Sequence, residues 1–293
     1  MNRIAAAVAA LAVFLSPKTP PRPHILGISH VGLRVSSVAA ARSFYEDFLG
    51  LRGLRVNARQ HVELISGLVP DQDRLDHIAL ETDDAEGLRH YLASRGLEVP
   101  KRVTRDRAGI HFPAHDPDGH AIEFVQPSPT ARHEPERTEL AGGARVSDHI
   151  LHLGIIVGDV PASMKFYGDV LGFSETWRGS RSGTELSWIN MKVPDGGDYV
   201  EFMLYGARPA PNERGTQHHI CLEVPDLAKA QALLEARPYR ASYPRPLEPR
   251  VGTNRKRQLN LYDPDGTRVE LMEPGTVDGP PAPSSTAPPP RHP

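Results

Sequence analysis

Polar and apolar residues alternate along several short stretches of this 293-residue chain, a period typical of strands that bury one face. Between Ile25 and Val35, His30 falls on one face and Val31 on the other, and residues 150–157 repeat the pattern around His152. Each stretch is followed by apolar positions at helical spacing that end at a glycine, Gly50 or Gly172. The pattern therefore predicts a strand followed by a helix, twice along the chain.

Further strands are indicated in the second half of the chain. Alternating or β-branched stretches predict strands at 175–178, 186–193 and 199–205, and then a strand at 219–224 followed by a helix at 226–236. Two more strands are predicted at 258–262 and 267–272. Strand, helix and three strands is therefore the unit that we expect to recur.

The two halves carry the same motifs at nearly constant spacing. Corresponding residues lie 122 positions apart at His30 and His152, and 142 apart at His77 and His219. Each half closes with Asp-Pro-Asp-Gly and a glutamate, where the separation is 147. The first half therefore lacks 20 residues after Gly50 and five more later, which leaves no room there for a full second strand.

Composition excludes several classes of protein. The net charge is −2, so the overall balance does not favour binding to nucleic acid. A single cysteine, Cys221, rules out an internal disulfide framework. We expect a small-molecule substrate as the partner, and a monomer or homodimer as the assembly.

The ends of the chain differ in composition from the rest. Arg3 and an apolar run of 12 residues, 4–15, are typical of an export signal and are short for a membrane span. We expect residues 1–23 to be a signal peptide or N-terminal anchor with a Pro-rich linker, and the protein to be secreted or periplasmic. No other membrane association is expected. Residues 275–293 are rich in Pro, Ser and Ala and are expected to be disordered.

The motif set resembles that of the vicinal oxygen chelate superfamily, which includes glyoxalase I, extradiol dioxygenases and the bleomycin and fosfomycin resistance proteins. The resemblance implies an α+β fold of tandem domains, built from paired βαβββ units that form cup-shaped mixed sheets with a metal inside each cup. It predicts a shortened first domain at 24–127, a linker at 128–147 and a second domain at 148–274. The sequence leaves open which units pair.

Strand parity places candidate ligands of the second half on one sheet face, with Glu201 beside Met203 and Glu270 beside Met272. By resemblance, the metal ligands are His152, Glu201, His219 and Glu270. The neighbouring His218 has the opposite parity, and Cys221 is interpreted as a small buried hydrophobe. A candidate second metal site in the first half comprises His30, Glu63, His77 and Glu123; the alternative is a purely structural first domain.

Three functions remain open from the sequence. Resemblance to glyoxalase I implies a lyase or isomerase that uses Zn, Ni, Co or Mn, with Glu201 or Glu270 as the catalytic base. Resemblance to extradiol dioxygenases implies an Fe(II) site, although Asn260 stands where that family has a tyrosine. The third alternative is a non-catalytic protein that binds an antibiotic or other small molecule.

The sequence also offers candidates for contact with the substrate. Arg250, Arg255 and Asn260 precede the last strand of the second half and are expected to bind substrate. A solvated basic edge is the alternative interpretation of the two arginines.

Overall fold

The computed structural model describes residues 20–129 and 145–291, in two curled mixed sheets that form half-barrels. The first half of the chain forms a six-stranded sheet and the second half an eight-stranded one. The strands of the first sheet are β1 Ile25–Val35, β2 His61–Ser66, β3 Leu75–Thr82, β4 Thr104–Arg105, β5 Gly109–His115 and β6 Ala121–Pro127. Those of the second are β7 Ile150–Val157, β8 Ser174–Gly179, β9 Trp188–Lys192, β10 Tyr199–Leu204, β11 His219–Glu223, β12 Arg250–Val251, β13 Lys256–Tyr262 and β14 Arg268–Thr276.

Within residues 20–129 and 145–291, four short α-helices with given bounds accompany the sheets: α1 Val38–Arg42, α2 Ala85–Ser94, α3 Val160–Ser163 and α4 Leu227–Glu235. Helices α1 and α3 each continue into a π-helical segment, Ser43–Phe48 and Met164–Val170, which carries the Phe-Tyr motif. Short 3₁₀ turns lie at Arg52–Leu54, Pro211–Thr216 and Pro238–Ser242. Polar side chains precede the first residues of these α-helices, and Asp226 accepts a hydrogen bond from the Lys229 amide.

The topology answers which units pair. In the second sheet the order is β12-β13-β14-β11-β7-β10-β9-β8, so β7 of one βαβββ unit lies antiparallel to β11 of the next. The first sheet has the order β2-β1-β3-β6-β5-β4, with β1 antiparallel to β3. Both units of one half therefore build one sheet, and the α+β fold of paired units is confirmed.

The shortened wall of the first domain differs from the sequence expectation. Strand β2 pairs in parallel with β1, as β10 does with β7, so β2 is the equivalent of β10. Within residues 20–129 no strand corresponds to β8 or β9. The 20 residues missing after Gly50 therefore correspond to two whole strands, whereas the sequence predicted the loss of one. The ligand position survives because the strand that carries Glu63 is retained.

The two domains share a single continuous hydrophobic core that includes Phe44 and Tyr45 of the first and Phe166 and Tyr167 of the second. Polar contacts cross the same boundary. His218 is 2% exposed and its Nδ1 lies 3.0 Å from Asp73 Oδ1 of the first domain. His218 is therefore a residue of the domain boundary.

A second polar contact between the domains is centred on Asp198 and Gln60, which occupy equivalent positions in the two halves. Asp198 Oδ2 accepts hydrogen bonds from the Ile28 amide at 2.7 Å and from Gln60 Nε2 at 3.2 Å. Gln60 Oε1 accepts one from the Ile150 amide at 2.7 Å, and His149 Nε2 lies 2.7 Å from Asp198 Oδ1. These contacts fix the two β-strands that carry the first histidine of each domain.

The carboxyl-terminal segment is ordered where the structure describes it, and the expectation of disorder is wrong there. Gly275 and Thr276 belong to β14. The Ser285 amide donates to the carbonyl of Arg178, and the Pro288 carbonyl accepts from the Leu186 amide. The tail has few apolar residues to bury, and backbone hydrogen bonds to residues of β8 and the loop after it hold it in place instead.

Two expectations fall largely outside the described residues. Most of the predicted signal peptide or anchor, 1–19, and the centre of the linker, 130–144, lie there. In the described part of the chain, no helix is long and apolar enough to cross a membrane.

Candidate metal centre

The second sheet brings four predicted residues together through its strand register. One cross-strand row contains, on successive strands, Trp177, Asn190, Glu201, Gly154, His219 and Arg268. A neighbouring row contains Tyr199, His152, Cys221, Glu270 and Asn260. Each row therefore contains two of the four candidate ligands, with one strand between them. Together the four ligands occupy the consecutive strands β10, β7, β11 and β14, on the concave face of the sheet.

Gly154 explains how the two histidines of the second domain come together. A Cβ at this position would lie 2.0 Å from His219 Nδ1 and Cε1, so only glycine lets the His219 ring lie across strand β7. His219 Nε2 then reaches to 3.0 Å from His152 Nε2. The glycine of the His-Leu-Gly motif is therefore part of the site.

The ligand atoms lie at the mutual distances that a metal requires. Glu201 Oε2 is 3.7 Å from His152 Nε2 and 3.5 Å from His219 Nε2, and Glu270 Oε2 is 3.6 Å from both. A tetrahedron with metal–ligand bonds of about 2.0–2.2 Å separates its ligand atoms by roughly 3.3–3.6 Å. The carboxylate–imidazole distances come close to this spacing, and the two imidazole Nε2 atoms, 3.0 Å apart, lie slightly inside it, so the arrangement is compatible with a divalent cation.

The protonation chemistry of the site agrees with this fit. Burial and the proximity of the partner imidazole lower the pKa of His152, and burial together with Arg268 lowers that of His219. Both rings are thus held neutral, which is the form that binds metals. His219 Nδ1 lies 2.8 Å from both the Gln217 carbonyl and Arg268 Nη2. In the tautomer with the proton on Nδ1, the Gln217 carbonyl accepts it and Nε2 is free as a ligand.

The two carboxylates of the second domain have different surroundings. Burial raises the pKa of Glu201, and the charge of Glu270 raises it further. Burial also acts to raise the pKa of Glu270, but the nearby His219 and the positive charge of Arg268 outweigh it and lower the pKa. Among the described residues, no hydrogen-bond donor holds Glu201, so its ionised form is costly here unless a cation compensates the charge.

The first sheet brings its own four predicted residues together in the same way. His30 Nε2 lies 3.0 Å from His77 Nε2, 3.7 Å from Glu63 Oε2 and 3.3 Å from Glu123 Oε2. A Cβ on Gly32 would lie 2.4 Å from the His77 ring, as at Gly154. The first domain thus keeps a cluster of two histidines and two glutamates, although two strands of its sheet are missing.

The first-domain cluster is nevertheless more open and differently connected. The side chain of Glu63, on the edge strand β2, is 50% exposed, against 10% for Glu201. Glu123 Oε1 is held at 2.5 Å by His111 Nδ1, and His61 stacks on His30 at 4.6 Å, with burial lowering the pKa of His61 to about 3. The missing strands leave this cup without the wall that shields Glu201.

Of the predicted substrate contacts, the structure brings two of three to the second-domain cup. Arg250 lines a cavity of about 450 Å³ that opens onto Glu201 and Glu270. Asn260 lies opposite Glu270 in the ladder, and its buried Oδ1 has no hydrogen-bond partner in the described chain. Arg255 instead donates to Asp278 at 2.7 Å and lies away from the cavity, which corrects the expectation for this residue.

Among the cavity residues that were not predicted from the sequence, four carry an aromatic ring or a positive charge: Trp177, Arg181, Trp188 and Arg268. Arg268 could have been found, because it stands two positions before Glu270 and so shares its face. The chain has only two tryptophans, and both line this cavity.

Comparison with known proteins agrees with the fold. The family model described as "Glyoxalase/Bleomycin resistance protein/Dioxygenase superfamily" matches residues 27–124 and 149–271. Protein YwbC of Bacillus subtilis (strain 168) is 28% identical over 123 residues, covering 34% of this chain and 96% of the relative. YaeR of Escherichia coli (strain K12) is 31% identical over 131 residues, covering 42% and 93%. Both relatives bear names that describe them as uncharacterized.

Solved structures share the fold of this chain over most of its length. An extradiol ring-cleaving dioxygenase from B. fuscum superposes with a TM-score of 0.67 at 20% identity, over 93% of this chain and 78% of that one. The 2,3-dioxygenase LapB from Pseudomonas sp. KL28 gives 0.65 at 19% identity, over 87% and 94%. At these identities the likeness concerns the fold alone. The matched family model spans both halves, and the chain therefore belongs to the glyoxalase/bleomycin resistance protein/dioxygenase superfamily.

Proposed function

We propose that the second domain is a metal-dependent enzyme centre that moves a proton on a small substrate, as a lyase or isomerase does. The observation that carries this proposal is the position of Glu201, whose Oε2 lies 3.5–3.7 Å from both histidine Nε2 atoms. A fourth protein ligand of this kind favours redox-neutral chemistry, because an oxygen-activating iron site of the facial-triad type uses two histidines and one carboxylate.

The residues of the second domain would divide the work as follows. His152, His219 and Glu270 hold the cation, with Gln217 fixing the orientation of His219. Bound there, a divalent cation polarises a substrate oxygen and acidifies the neighbouring C–H bond. Glu201 receives the proton, since its carboxylate faces the cavity and is not restrained by a described hydrogen-bond donor.

Glu201 is better placed than Glu270 for this role. Its side chain is 10% exposed against 5% for Glu270, so Glu201 has the easier path from the metal to a substrate in the cavity.

An Fe(II)-dependent extradiol-type dioxygenase is the second candidate function. His152, His219 and Glu270 alone would make a facial triad, and the solved structures reported above are dioxygenases of the same fold. Asn260, opposite Glu270 in the ladder, weakens this candidate because an amide cannot donate or accept a proton as an acid or base.

For the first domain we propose a weaker or non-catalytic metal site at His30, Glu63, His77 and Glu123. The ligand spacing supports metal binding there. Glu63 is half exposed and Glu123 is already in contact with His111, so we expect this site to bind metal more weakly than the second-domain site.

The test is an exchange experiment in D₂O without oxygen. Protein purified without chelators and reloaded with Zn or Mn is incubated with 2-hydroxy and 2-oxo carbonyl compounds, and loss of the C–H signal is followed by NMR. We expect exchange with the wild type, and a reduction of about a hundredfold or more in Glu201→Gln. Oxygen consumption on catechols with strict dependence on Fe(II), and no anaerobic exchange, would establish the dioxygenase instead.

A further inference from the structure

The walls of the second-domain cavity combine flat aromatic surfaces with positive charge. Trp177 on β8 and Trp188 on β9 form one wall, and Arg250 stands on the opposite wall at β12. A Cβ on Gly179 would lie 2.1 Å from the Trp177 ring, so glycine at this position allows the indole to lie against the sheet. The Arg181 guanidinium lies 5.3 Å from the centre of the Trp188 ring.

Three arginines line this cavity without an ion pair to a carboxylate among the described residues: Arg181, Arg250 and Arg268. Arg268 is the nearest to the metal centre, with Nη2 2.8 Å from His219 Nδ1. Its Nε is buried without a hydrogen-bond partner in the described chain, as is Nε1 of Trp177. Two buried donors thus lack acceptors at one cavity, which is costly unless a ligand supplies them.

The charges at the second-domain centre indicate that a ligand in this cavity carries a negative charge. The carboxylates of Glu201 and Glu270 would be balanced by the two charges of a divalent cation. With the cation bound, the cavity arginines remain uncompensated, and a partly buried guanidinium favours a bidentate carboxylate partner.

The first domain lacks all of these features. Ala121 occupies the position that corresponds to Arg268, since both precede the last ligand glutamate by two residues. The strands that carry Trp177 and Trp188 have no equivalent within residues 20–129. The ligands of the two domains are alike, but the surroundings that select a molecule are present only in the second.

We propose that the substrate of the second domain is a small aromatic carboxylate, with its ring against Trp177 and Trp188 and its carboxylate on Arg268 and Arg250. This inference rests on the proposed function, because it assumes a cation at the centre. A cavity of about 450 Å³ fits a compound with a single ring. Aromatic stacking and charge-assisted hydrogen bonds would then each contribute to selection.

Tryptophan fluorescence tests the proposal directly, because the only two tryptophans of the chain line this cavity. The full-length, metal-loaded protein is titrated with phenylpyruvate, with its methyl ester, which lacks the charge, and with pyruvate, which lacks the ring. We expect saturable quenching by phenylpyruvate and binding at least about tenfold weaker for both other probes. Equal binding of the ester, or no binding of phenylpyruvate to metal-loaded protein, would overturn the proposal.

Variants identify the residues responsible. Arg250→Gln and Arg268→Gln should each weaken phenylpyruvate binding by about tenfold or more. Arg255→Gln should leave it unchanged, since Arg255 pairs with Asp278 outside the cavity. Trp188→Leu, followed by calorimetry, should weaken phenylpyruvate more than pyruvate. Wild-type binding in both cavity variants would overturn the assignment.

Metal content, measured on each sample, separates this proposal from the proposed function. If the protein retains the metal at the second-domain centre but does not bind phenylpyruvate, only the substrate class is wrong. If it holds no metal there, the proposed function fails first. Arg268→Gln is scored only in samples with full metal content, because Arg268 touches His219; Arg250→Gln provides the result if that variant loses metal.

Discussion

The Tyr167 hydroxyl of the second domain donates a hydrogen bond of 3.0 Å to Asp116 Oδ2 of the first. The relationship is reciprocal, because Tyr45 of the first domain donates to Asp263 Oδ2 of the second at 3.2 Å. Both tyrosines are fully buried. The Phe-Tyr motif of each half therefore binds the Asp-Pro-Asp-Gly motif of the other, which gives both motifs a role in joining the domains.

Removal of the Tyr167 hydroxyl should lower stability without changing the metal site. Tyr167→Phe leaves a buried acceptor with one donor fewer, and we expect a loss of about 1–2 kcal/mol in the free energy of unfolding. Tyr239→Phe is the matched control, because the Tyr239 hydroxyl makes no hydrogen bond within the described chain. Chemical denaturation measures both, and equal small losses would contradict the role given to Tyr167.

Two neighbouring histidines should respond differently to substitution. His219→Ala should lower the metal content of the second domain by at least about tenfold, since it removes a ligand. His218→Ala should leave metal content unchanged and reduce stability, because His218 contacts Asp73 across the domain boundary. Metal analysis and denaturation distinguish the two, and equal metal losses would contradict the assignment.

Gly154→Ala should behave like the loss of a ligand, although it adds only a methyl group. The new Cβ would overlap the His219 ring, so that ring must leave its position. We expect a loss of metal affinity of about tenfold or more. Gly168→Ala is the control, because the nearest atoms to a Cβ there lie 3.9–4.0 Å away. Unchanged metal affinity in Gly154→Ala would show that the cluster can rearrange.

The contact between His149 and Asp198 should make stability depend on pH. The hydrogen bond with Asp198 raises the pKa of His149 above its usual 6.5, against the lowering effect of burial. The stabilisation is therefore fully present below pH 6.5 and is lost as the pH rises through the higher pKa of the folded state.

The test compares wild type with His149→Gln in denaturation series from pH 5.5 to 9. The stability advantage of the wild type should shrink by up to about 1 kcal/mol, a small value because the ring is partly solvated. A constant difference across the series would mean that the charge on His149 does not contribute.

Substitution in the first domain should change metal stoichiometry more than turnover. His77→Ala should remove the first-domain metal and leave more than about half of the exchange activity, because Arg268, Trp177 and Trp188 have no counterparts there. Loss of all activity in His77→Ala, with retention in His219→Ala, would reverse the ranking of the two domains.

Much of the fold and the site could be predicted from the sequence because both depend on period-two patterns. Strands β8, β9 and β10 fall within two residues of the predicted positions, and parity together with the family resemblance placed Glu201 and Glu270 on the face of the two histidines. The motif spacing also located the deletion in the first half.

The remaining features depend on contacts between residues far apart in sequence. The Tyr167–Asp116 bond joins residues 51 positions apart, and no local pattern indicates it. The scarcity of apolar residues predicts a disordered tail, yet backbone hydrogen bonds join the tail to Arg178 and Leu186. Arg250 and Arg255 lie five positions apart and cannot be told apart from the sequence. In the structure the turn between them leaves Arg250 at the cavity and Arg255 in an ion pair with Asp278.

The cross-strand rows have a consequence for how such a chain can diversify. A one-residue insertion inside β7, β10, β11 or β14 would turn a ligand to the opposite face of the sheet. The length differences between the halves, 20 and five residues, instead lie between the strands that carry ligands. Insertions and deletions can therefore reshape the walls, and with them the range of molecules admitted, while the positions of the two histidines and two glutamates are inherited unchanged.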